Sequence, residues 1–422
     1  MKNTICFGFL LVLVGYVLFP GLACAGIPPA QRQALIALYN STNGDSWTNN
    51  SGWKTPPLDT DGFAMPGTEN LWYGIETDLE NTMVQHISLH YNKLSGNIPT
   101  VLVNLTNLFY LDLWGNQLSG SIPPQLGSMT NLSYLDLHSN QLSGSIPTQL
   151  GNLSNLYGLD LDGNHLSGSI PTELGNLTNL HGLDLGLNQL SGSIPVELSN
   201  LTNLTGLLLS WNQLSGSIPA ELSNLSNLTN LFLSDNHLSG SIPTELGNLT
   251  NLTYLMLNNN ELSGSIPKEL GNLTNLTSLY LYNNRLSGSI PTELSNLTNL
   301  THLYLSNNQL SGNIPAELGN FPYMHILDLA FNRLSGSIPK EIGNLTYLDL
   351  LMLNNNQLTG SIPLQLMNLT SLLDNRSDFR FNHLFTTNDD LRNFLNSKQI
   401  GGDWESYQTH GMPGIPLLLL DD

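Results

Sequence analysis

The sequence predicts a single elongated array of stacked coils, and three observations lead to that fold class. The segment LDLWGNQLSGSIP (111–123) returns every 24 residues until NNNQLTGSIP, which ends at residue 363. The leucines of one repeat cannot all lie on one face of a helix or a strand, and one asparagine stands at the same place in every repeat. A fixed period of this length is typical of repeat arrays, so it overrides the two or three domains that 422 residues would suggest.

The N-terminus has the composition of a secretory signal peptide. Residues 5–19 form an apolar run, and small residues ending at Ala25 have the spacing that signal peptidases recognise. Cleavage after Ala25 would remove both cysteines. An alternative is a bacterial lipoprotein signal with Cys24 as the lipid-attachment site, although Gly21 stands where such signals usually have Leu. Both interpretations predict export, to a secreted or cell-surface location or to the periplasm of a Gram-negative source.

The charge balance excludes one class of partner. Lys and Arg total 12 against 32 Asp and Glu, the formal net charge is -20, and no basic run occurs. Nucleic-acid binding needs clustered basic side chains that displace counterions from the phosphates. A cation, a basic protein or a neutral glycan is therefore the better expectation. Beyond the N-terminus, no apolar run is long enough to span a membrane.

Within one repeat, the apolar positions predict a short strand. Leu111 and Leu113 alternate with Tyr110, Asp112 and Trp114, which is the period of a strand with one buried and one exposed face. The strands of neighbouring coils would pair in parallel.

An asparagine ladder is predicted along the array. A buried amide can satisfy backbone groups of its own turn and of the next coil, and losing it would leave those groups unpaired at roughly 1 to 3 kcal/mol each. Gly120 and Pro123 recur equally strictly. Gly adopts turn conformations that other residues avoid, and Pro suits a position where the backbone N–H donates no hydrogen bond. The ladder comprises twelve residues: Asn92, Asn116, Asn140, Asn164, Asn188, Asn212, Asn236, Asn260, Asn284, Asn308, Asn332 and Asn356.

These motifs carry a family resemblance. The pattern LxxLxLxxNxLSGxIPxxLGNLTN resembles the 24-residue leucine-rich repeat of the plant-specific class, found in plant receptor ectodomains, polygalacturonase-inhibiting proteins and some secreted bacterial proteins. The resemblance implies an α/β solenoid: a right-handed leucine-rich repeat superhelix of about twelve repeats, with a parallel sheet on its concave side and helical caps at both ends. The chain would divide into a signal peptide (1–25), an N-terminal cap (26–83), the repeat array (84–371), a C-terminal cap (372–410) and a tail (411–422).

The N-terminal flank resembles the cap of that family with one departure. ALIALYNSTNGDSWTNNSGW followed by LWYGIETD is similar to its helix, its tryptophans and its WxGV-like strand. Asn70 and Thr77 occupy the positions of the family's cysteines, so the cap lacks that disulfide. This departure favours a bacterial over a plant source.

The C-terminal flank predicts a second cap, which open solenoid ends require. FRFNHL keeps a degenerate strand with Asn382, and DDLRNFLNSK reads as a short amphipathic helix with residue 388 or 389 as its N-cap. In that helix, Leu391, Phe394 and Leu395 would cover the last coil.

The concave strand positions remain free for function, because their side chains point to solvent and the scaffold does not dictate them. Four residues before the ladder asparagine they form an acidic row, and adjacent carboxylates about 4.8 Å apart would attract a cation or basic side chains. The alternative is structural, since a solvated Asp is a common filler of this repeat class. The row comprises Asp112, Asp136, Asp160 and Asp184, with Asp162 beside it.

Further along, the same columns become aromatic. Exposed rings on a rigid sheet are poorly explained by core packing, and clusters of them favour contacts with sugars or proteins. A purely structural role is the alternative. The candidate ligand-binding residues are Trp114, Trp211, Phe232, Tyr280, Tyr282 and Tyr304.

We predict neither a metal site, nor a cofactor, nor catalytic residues. A flat row of single carboxylates offers fewer oxygens than Ca²⁺ requires, and His86, His90 and His138 have no close pairing spacing. Nucleophile, zinc-protease and phosphate-loop motifs are missing from the sequence. A uniform carboxylate row also lacks the two environments that separate a general acid from a general base.

Two functions from different classes follow. The first is a non-catalytic, monomeric recognition protein, secreted or on the cell surface, that binds a protein or polysaccharide on the concave face. The second is a structural or surface-adsorbing role, including ice binding, through regular Asn and Thr rows on the convex side. About twenty sequons fall on these same rows, and they would be glycan acceptors in a eukaryotic secretory pathway or simple by-products of the period. Representative row residues are Asn176, Thr178, Asn200, Thr202, Asn248 and Thr250.

Overall fold

The computed structural model describes residues 26–408, so the predicted signal peptide, the alternative lipid-attachment residue Cys24 and the predicted tail at 411–422 lie outside the described residues. The chain divides into two compact units at His165 and Leu166. The helix and strands of the first unit are α1 (Pro29–Ser41), β1 (Ile75–Thr77), β2 (Val84–Ser88), β3 (Ser95–Asn97), β4 (Tyr110–Asp112), β5 (Gln117–Gly120), β6 (Tyr134–Asp136), β7 (Gln141–Gly144) and β8 (Gly158–Asp160).

The strands of the first unit form two sheets. In the main sheet, the LxL strands β2, β4, β6 and β8 pair in parallel and in register, and β1 pairs antiparallel with β2. In the Ser-Gly sheet, β3, β5 and β7 pair in parallel. Between the two sheets each coil forms a short 3-10 helix, such as Pro124–Ser128. The Pro before this segment is in extended conformation and lies between the end of the Ser-Gly strand and the 3-10 helix, where it donates no hydrogen bond.

The second unit repeats the same coil. Its main sheet runs in parallel from β10 to β24, and its Ser-Gly sheet runs from β9 to β26. Its elements are β9 (His165–Ser169), β10 (Gly182–Asp184), β11 (Gln189–Gly192), β12 (Gly206–Leu208), β13 (Gln213–Gly216), β14 (Asn230–Phe232), β15 (His237–Ser241), β16 (Tyr254–Met256), β17 (Glu261–Ser265), β18 (Ser278–Tyr280), β19 (Arg285–Gly288), β20 (His302–Tyr304), β21 (Gln309–Asn313), β22 (Ile326–Asp328), β23 (Arg333–Gly336), β24 (Leu350–Met352), β25 (Gln357–Ser361), β26 (His383–Phe385) and α2 (Asp389–Lys398).

The ladder asparagines hydrogen-bond successive coils to one another. Asn140 donates from Nδ2 to the carbonyls of Leu113 in the preceding coil and Leu137 in its own, both at 3.0 Å. Its Oδ1 accepts from the backbone N–H of Leu118 at 3.0 Å. Of the twelve ladder asparagines, all but Asn308 are buried. Each thus satisfies backbone groups that water cannot reach, and the leucines packed around the ladder are almost fully buried.

The N-terminal cap lacks a disulfide and is held by rings and one buried arginine. Trp53 packs between Trp47 and Trp72, with ring centroids 5.2 and 4.6 Å apart. Arg32 bonds to Asp61 at 2.8 Å and to the buried Glu69 at 2.6 Å. These contacts cross-link the cap in place of the covalent bond that the family resemblance would suggest.

The C-terminal cap contains the predicted helix α2. Asn388 accepts from the Leu391 N–H at 2.8 Å, which makes it the N-cap, and Leu391 and Leu395 are buried while Phe394 is half-exposed. Asn382 extends the ladder, because its Oδ1 accepts from the Leu358 N–H at 3.0 Å. No helix in residues 26–408 is long and apolar enough to cross a membrane.

Candidate functional site

The acidic row of the first unit is in register but less exposed than predicted. Asp112 pairs with Asp136 and Asp136 with Asp160 across β4, β6 and β8. The side chains of Asp112 and Asp136 are only 5% and 7% exposed, and that of Asp160 is 27% exposed. The expectation that these carboxylates point freely into solvent is therefore wrong for the first two of them.

Ring ladders on the same face explain this burial. On one side of the row, the Tyr110 and Tyr134 rings stack at 4.9 Å. On the other side, Trp114 stacks between His90 at 5.5 Å and His138 at 4.5 Å. The tyrosine column lies six residues before the ladder asparagine, which is two residues before the acidic row. The alternation of the strand places both columns on the same face, so the sequence contains the signal for it.

Histidines bind the buried carboxylates directly. Asp112 Oδ2 lies 2.8 Å from His90 Nδ1, and Asp136 Oδ1 lies 2.6 Å from His138 Nδ1. Burial raises the pKa values of Asp136 and Asp160 above their ordinary range, and it also raises that of Asp162, which lies beside them as predicted. This end of the main sheet is thus a partly desolvated surface with excess negative charge.

The tyrosines of the second unit form one cluster. Tyr280 and Tyr304 stack at 4.9 Å and 14° across β18 and β20, and Tyr282 meets both rings edge-on at 6.5 and 6.1 Å. His302 lies 6.4 Å from Tyr304 and extends the cluster. All these side chains are half-exposed, and burial raises the pKa values of Tyr282 and Tyr304, so the hydroxyls remain hydrogen-bond donors at neutral pH.

The other aromatic candidates lie apart from this cluster. Phe232 meets Tyr254 edge-on at 6.5 Å, while Trp114 belongs to the histidine ladder of the first unit. Trp211 is 59% exposed and has a left-handed backbone with φ of 59°. Asp184 stands at the end of β10 in the second unit and accepts from the Gly186 N–H at 2.9 Å.

The left-handed conformation of Trp211 belongs to a column that precedes the ladder asparagine. Elsewhere in this column many residues are Gly, Asn, Asp or Ser, which tolerate positive φ at little cost. Leu187 and Phe331 share the conformation and are 52% and 41% exposed. A bulky apolar side chain there gains neither backbone relaxation nor burial, so it is a candidate for surface contact.

The predicted Asn and Thr rows lie on the exposed turns that follow the 3-10 helices. Asn203 and Asn227 donate from Nδ2 to the carbonyls of Thr178 and Thr202 in the preceding coils, at 2.8 and 2.9 Å. Asn176 and Asn200 end their 3-10 helices and are exposed. Hydrogen bonds between coils thus order these rows, although the rows lie outside the sheets.

Family models and solved structures agree on the class of protein. A model described as a leucine-rich repeat region matches residues 83–240, a two-copy leucine-rich repeat model matches 274–318 and 298–340, and a single-repeat model matches 251–273. A leucine-rich repeat protein of Leptospira interrogans is 31% identical over 85% of this chain and 89% of its own, with a TM-score of 0.63. The chain belongs to the leucine-rich repeat family.

Two further structures bear on function. The plant peptide hormone receptor RGFR1, solved in complex with RGF2, is 42% identical over 71% of this chain and 47% of its own, with a TM-score of 0.68. A plant ice-binding protein is 26% identical over 80% of this chain and 97% of its own, with a TM-score of 0.55. The chain spans about half the length of the plant receptor chains that it matches first. The comparison with curated proteins finds no match.

Proposed function

We propose that the protein is a non-catalytic recognition protein, secreted or on the cell surface, that binds a protein or peptide ligand on the open face of the main sheet. The observation that carries the proposal is the cluster of Tyr280, Tyr282 and Tyr304, three half-exposed rings in contact on adjacent strands. Polysaccharide is the second ligand class that such rings fit. The solved plant receptors, one of them bound to a peptide hormone, support the first class.

The physical basis of the proposal is a preformed surface. Tyrosine offers a large contact area with few rotatable bonds, so a ligand immobilises little side-chain freedom when it binds. The parallel register of β18 and β20 places Tyr280 directly opposite Tyr304, and the stacked rings therefore form one continuous platform. The protonated hydroxyls add hydrogen-bond donors at its edge.

The test uses a triple variant, Tyr280→Ala with Tyr282→Ala and Tyr304→Ala. The secreted proteins of the producing organism and an array of plant, algal and bacterial polysaccharides are screened with the wild-type chain, and the affinity of each ligand found is then measured. We expect at least a tenfold loss in the variant, about 1.4 kcal/mol or more.

A matched control keeps the result interpretable. Tyr323 and Tyr347 are 54% and 55% exposed and lie outside the strands, with ring centroids 6.3 Å apart. Their double substitution by Ala removes the same chemistry from another surface, and it should leave the affinity unchanged. Equal affinity in the triple variant and the wild type, with both folded by circular dichroism, would refute the assignment of this surface. A ligand found only among the polysaccharides would redirect the proposal to glycan recognition.

The ice-binding neighbour and the ordered outer rows favour a second candidate, adsorption to ice. Repeated hydroxyl and amide groups at the coil spacing would form a regular array of hydrogen-bonding groups along the turns. Thr178→Val and Thr202→Val, changed together, should reduce thermal hysteresis, whereas the tyrosine variants should not. If the wild-type chain shows neither hysteresis nor ice-crystal shaping, this candidate is eliminated.

A further inference from the structure

Three side chains of the first unit converge on one point of the main sheet. Asp136 ends β6, His138 follows two residues later on the same face, and Asp160 ends the neighbouring strand β8. One oxygen of each carboxylate and one ring nitrogen of the histidine lie within 4.8 Å of one another. An imidazole nitrogen and two carboxylate oxygens are a donor set found at first-row divalent metal ions.

Two carboxylate oxygens at this point have only long hydrogen-bond contacts. The side chain of Asp136 is only 7% exposed, and its Oδ1 serves both the backbone N–H and the ring of His138. Its Oδ2 has the Tyr134 hydroxyl at 3.5 Å, and Asp160 Oδ2 has His138 Nδ1 at 3.5 Å, both at the long limit of a hydrogen bond. A buried carboxylate oxygen ordinarily has closer partners, so Oδ2 of Asp136 keeps capacity for a further ligand.

The surroundings hold the three groups in place. Backbone N–H groups of His138 and Asp162 each bond to Oδ1 of the carboxylate two residues earlier, at 3.1 Å in both cases. The His138 ring stacks on Trp114 at 4.5 Å and 17°, which restricts its rotation. Outer contacts of this kind orient metal ligands before the ion arrives.

We propose that Asp136, His138 and Asp160 bind one divalent first-row metal ion, with Zn²⁺ and Mn²⁺ as the best-matched species. In the bound state His138 would coordinate through Nδ1 as a neutral imidazole with its N–H on Nε2, and the hydrogen bond between Nδ1 and Asp136 would be given up. At ligand distances of about 2.1 Å and tetrahedral angles two donor atoms lie about 3.4 Å apart. The donor atoms now lie within 4.8 Å of one another, so side-chain shifts of up to about 1.4 Å bring them to these positions.

This proposal departs from the sequence prediction of no metal site, for a structural reason. In the sequence, the acidic row is a series of single carboxylates on separate strands, and the histidines have no close pairing spacing. The structure turns the His138 ring toward Asp136 and within 3.5 Å of Asp160. The site belongs to the first unit, whereas the tyrosine cluster belongs to the second, so either proposal can fail without affecting the other.

The test is calorimetric titration of the full-length chain with ZnCl₂ and with MnCl₂ at neutral pH and moderate salt. We expect one saturable site per chain, with affinity reduced at least tenfold in Asp160→Asn and in His138→Gln. Visible absorption of the Co²⁺-loaded chain gives a second readout, because its bands report nitrogen and oxygen ligation and should change in His138→Gln.

The matched control is His325→Gln. His325 Nδ1 lies 2.7 Å from Asp349, the one carboxylate paired with its ring, so this change removes the same group from a site with a single carboxylate. It should leave the affinity as in the wild type. Absence of saturable binding up to about 1 mM would overturn the proposal, as would binding unaffected by Asp160→Asn and His138→Gln. Several weak ions per chain, insensitive to all three changes, would indicate non-specific attraction to the negative net charge and would equally overturn it.

Discussion

Replacing Asn236 by alanine tests whether the ladder holds the coils together. Its Nδ2 donates to the Leu209 carbonyl of the preceding coil at 3.0 Å and, within its own coil, to the carbonyls of Leu233 at 3.3 Å and Ser234 at 3.1 Å. Its Oδ1 accepts from the Leu214 N–H at 2.9 Å. The substitution removes all four bonds while it leaves the backbone path unchanged.

The expected loss of stability follows from the two hydrogen bonds that Asn236 makes to the preceding coil, which differ in what their removal leaves behind. The Leu214 N–H loses its acceptor where water does not reach, whereas the Leu209 carbonyl loses one donor and keeps another, Asn212 Nδ2 at 3.2 Å. A buried N–H left unpaired costs about 1–3 kcal/mol and the lost bond to the carbonyl adds about 1 kcal/mol, so the free energy of unfolding should fall by roughly 2–4 kcal/mol. A value above about 4 kcal/mol would be exceptional for a single substitution.

Asn227→Ala is the control, because Asn227 belongs to the exposed outer row and makes one bond, to the Thr202 carbonyl at 2.9 Å. Urea denaturation should show a loss of at most about 1 kcal/mol for the control. Native-state hydrogen exchange gives a local readout, since the Leu214 amide should lose its protection only in Asn236→Ala. Equal losses in the two variants, or a Leu214 amide that stays protected, would refute the reasoning.

Three other predictions concern charge, backbone and cap. Burial raises the pKa of Asp328, so the folded chain keeps that proton to a higher pH than the unfolded chain, and the contribution of Asp328 to stability falls as the pH rises from about 4 through the native pKa. Asp136, Asp160 and Asp162 contribute falls of the same sign, so urea denaturation of Asp328→Asn across that range should show a smaller fall than the wild type, and an unchanged pH profile would contradict the assignment. Leu187→Asn relieves a left-handed leucine at φ 46° and should raise the unfolding free energy by about 1 kcal/mol in urea, whereas a loss would show that the leucine packs usefully. Arg32→Met leaves Glu69, whose side chain is 1% exposed, without its cation. The free energy of unfolding in urea should fall by about 3–5 kcal/mol, and a fall below about 1 kcal/mol would contradict this prediction.

The sequence by itself determined the coil and the general plan of its ends. A motif that returns every 24 residues places Leu111 and Leu113 inside and Asn116 in the ladder without any knowledge of distant contacts, because each coil meets only near copies of itself. The same logic found Asn382, which continues the ladder in a degenerate repeat. Local rules of this kind require only the period, so they can be read from the chain directly.

The end of the ladder was decided by tertiary structure. Gln408 accepts from the Leu384 N–H at 3.0 Å and donates to the Phe379 carbonyl at 3.0 Å, so it takes the place of the next asparagine. The residue lies outside the repeat pattern, and its amide reaches this position only because the cap folds back onto the last coil. Periodicity cannot detect a substitute that arrives from a non-repeating segment.

The chemistry of the open face also depended on the fold. The sequence placed Asp112 and Asp136 in one row, but their burial results from the Tyr110 and Tyr134 rings and from the histidines that turn toward the carboxylates. Side-chain rotation, and not strand register, brings His138 into this row. Register follows from the repeat, whereas rotamers follow from the neighbours on three adjacent strands, and only the assembled sheet supplies those neighbours.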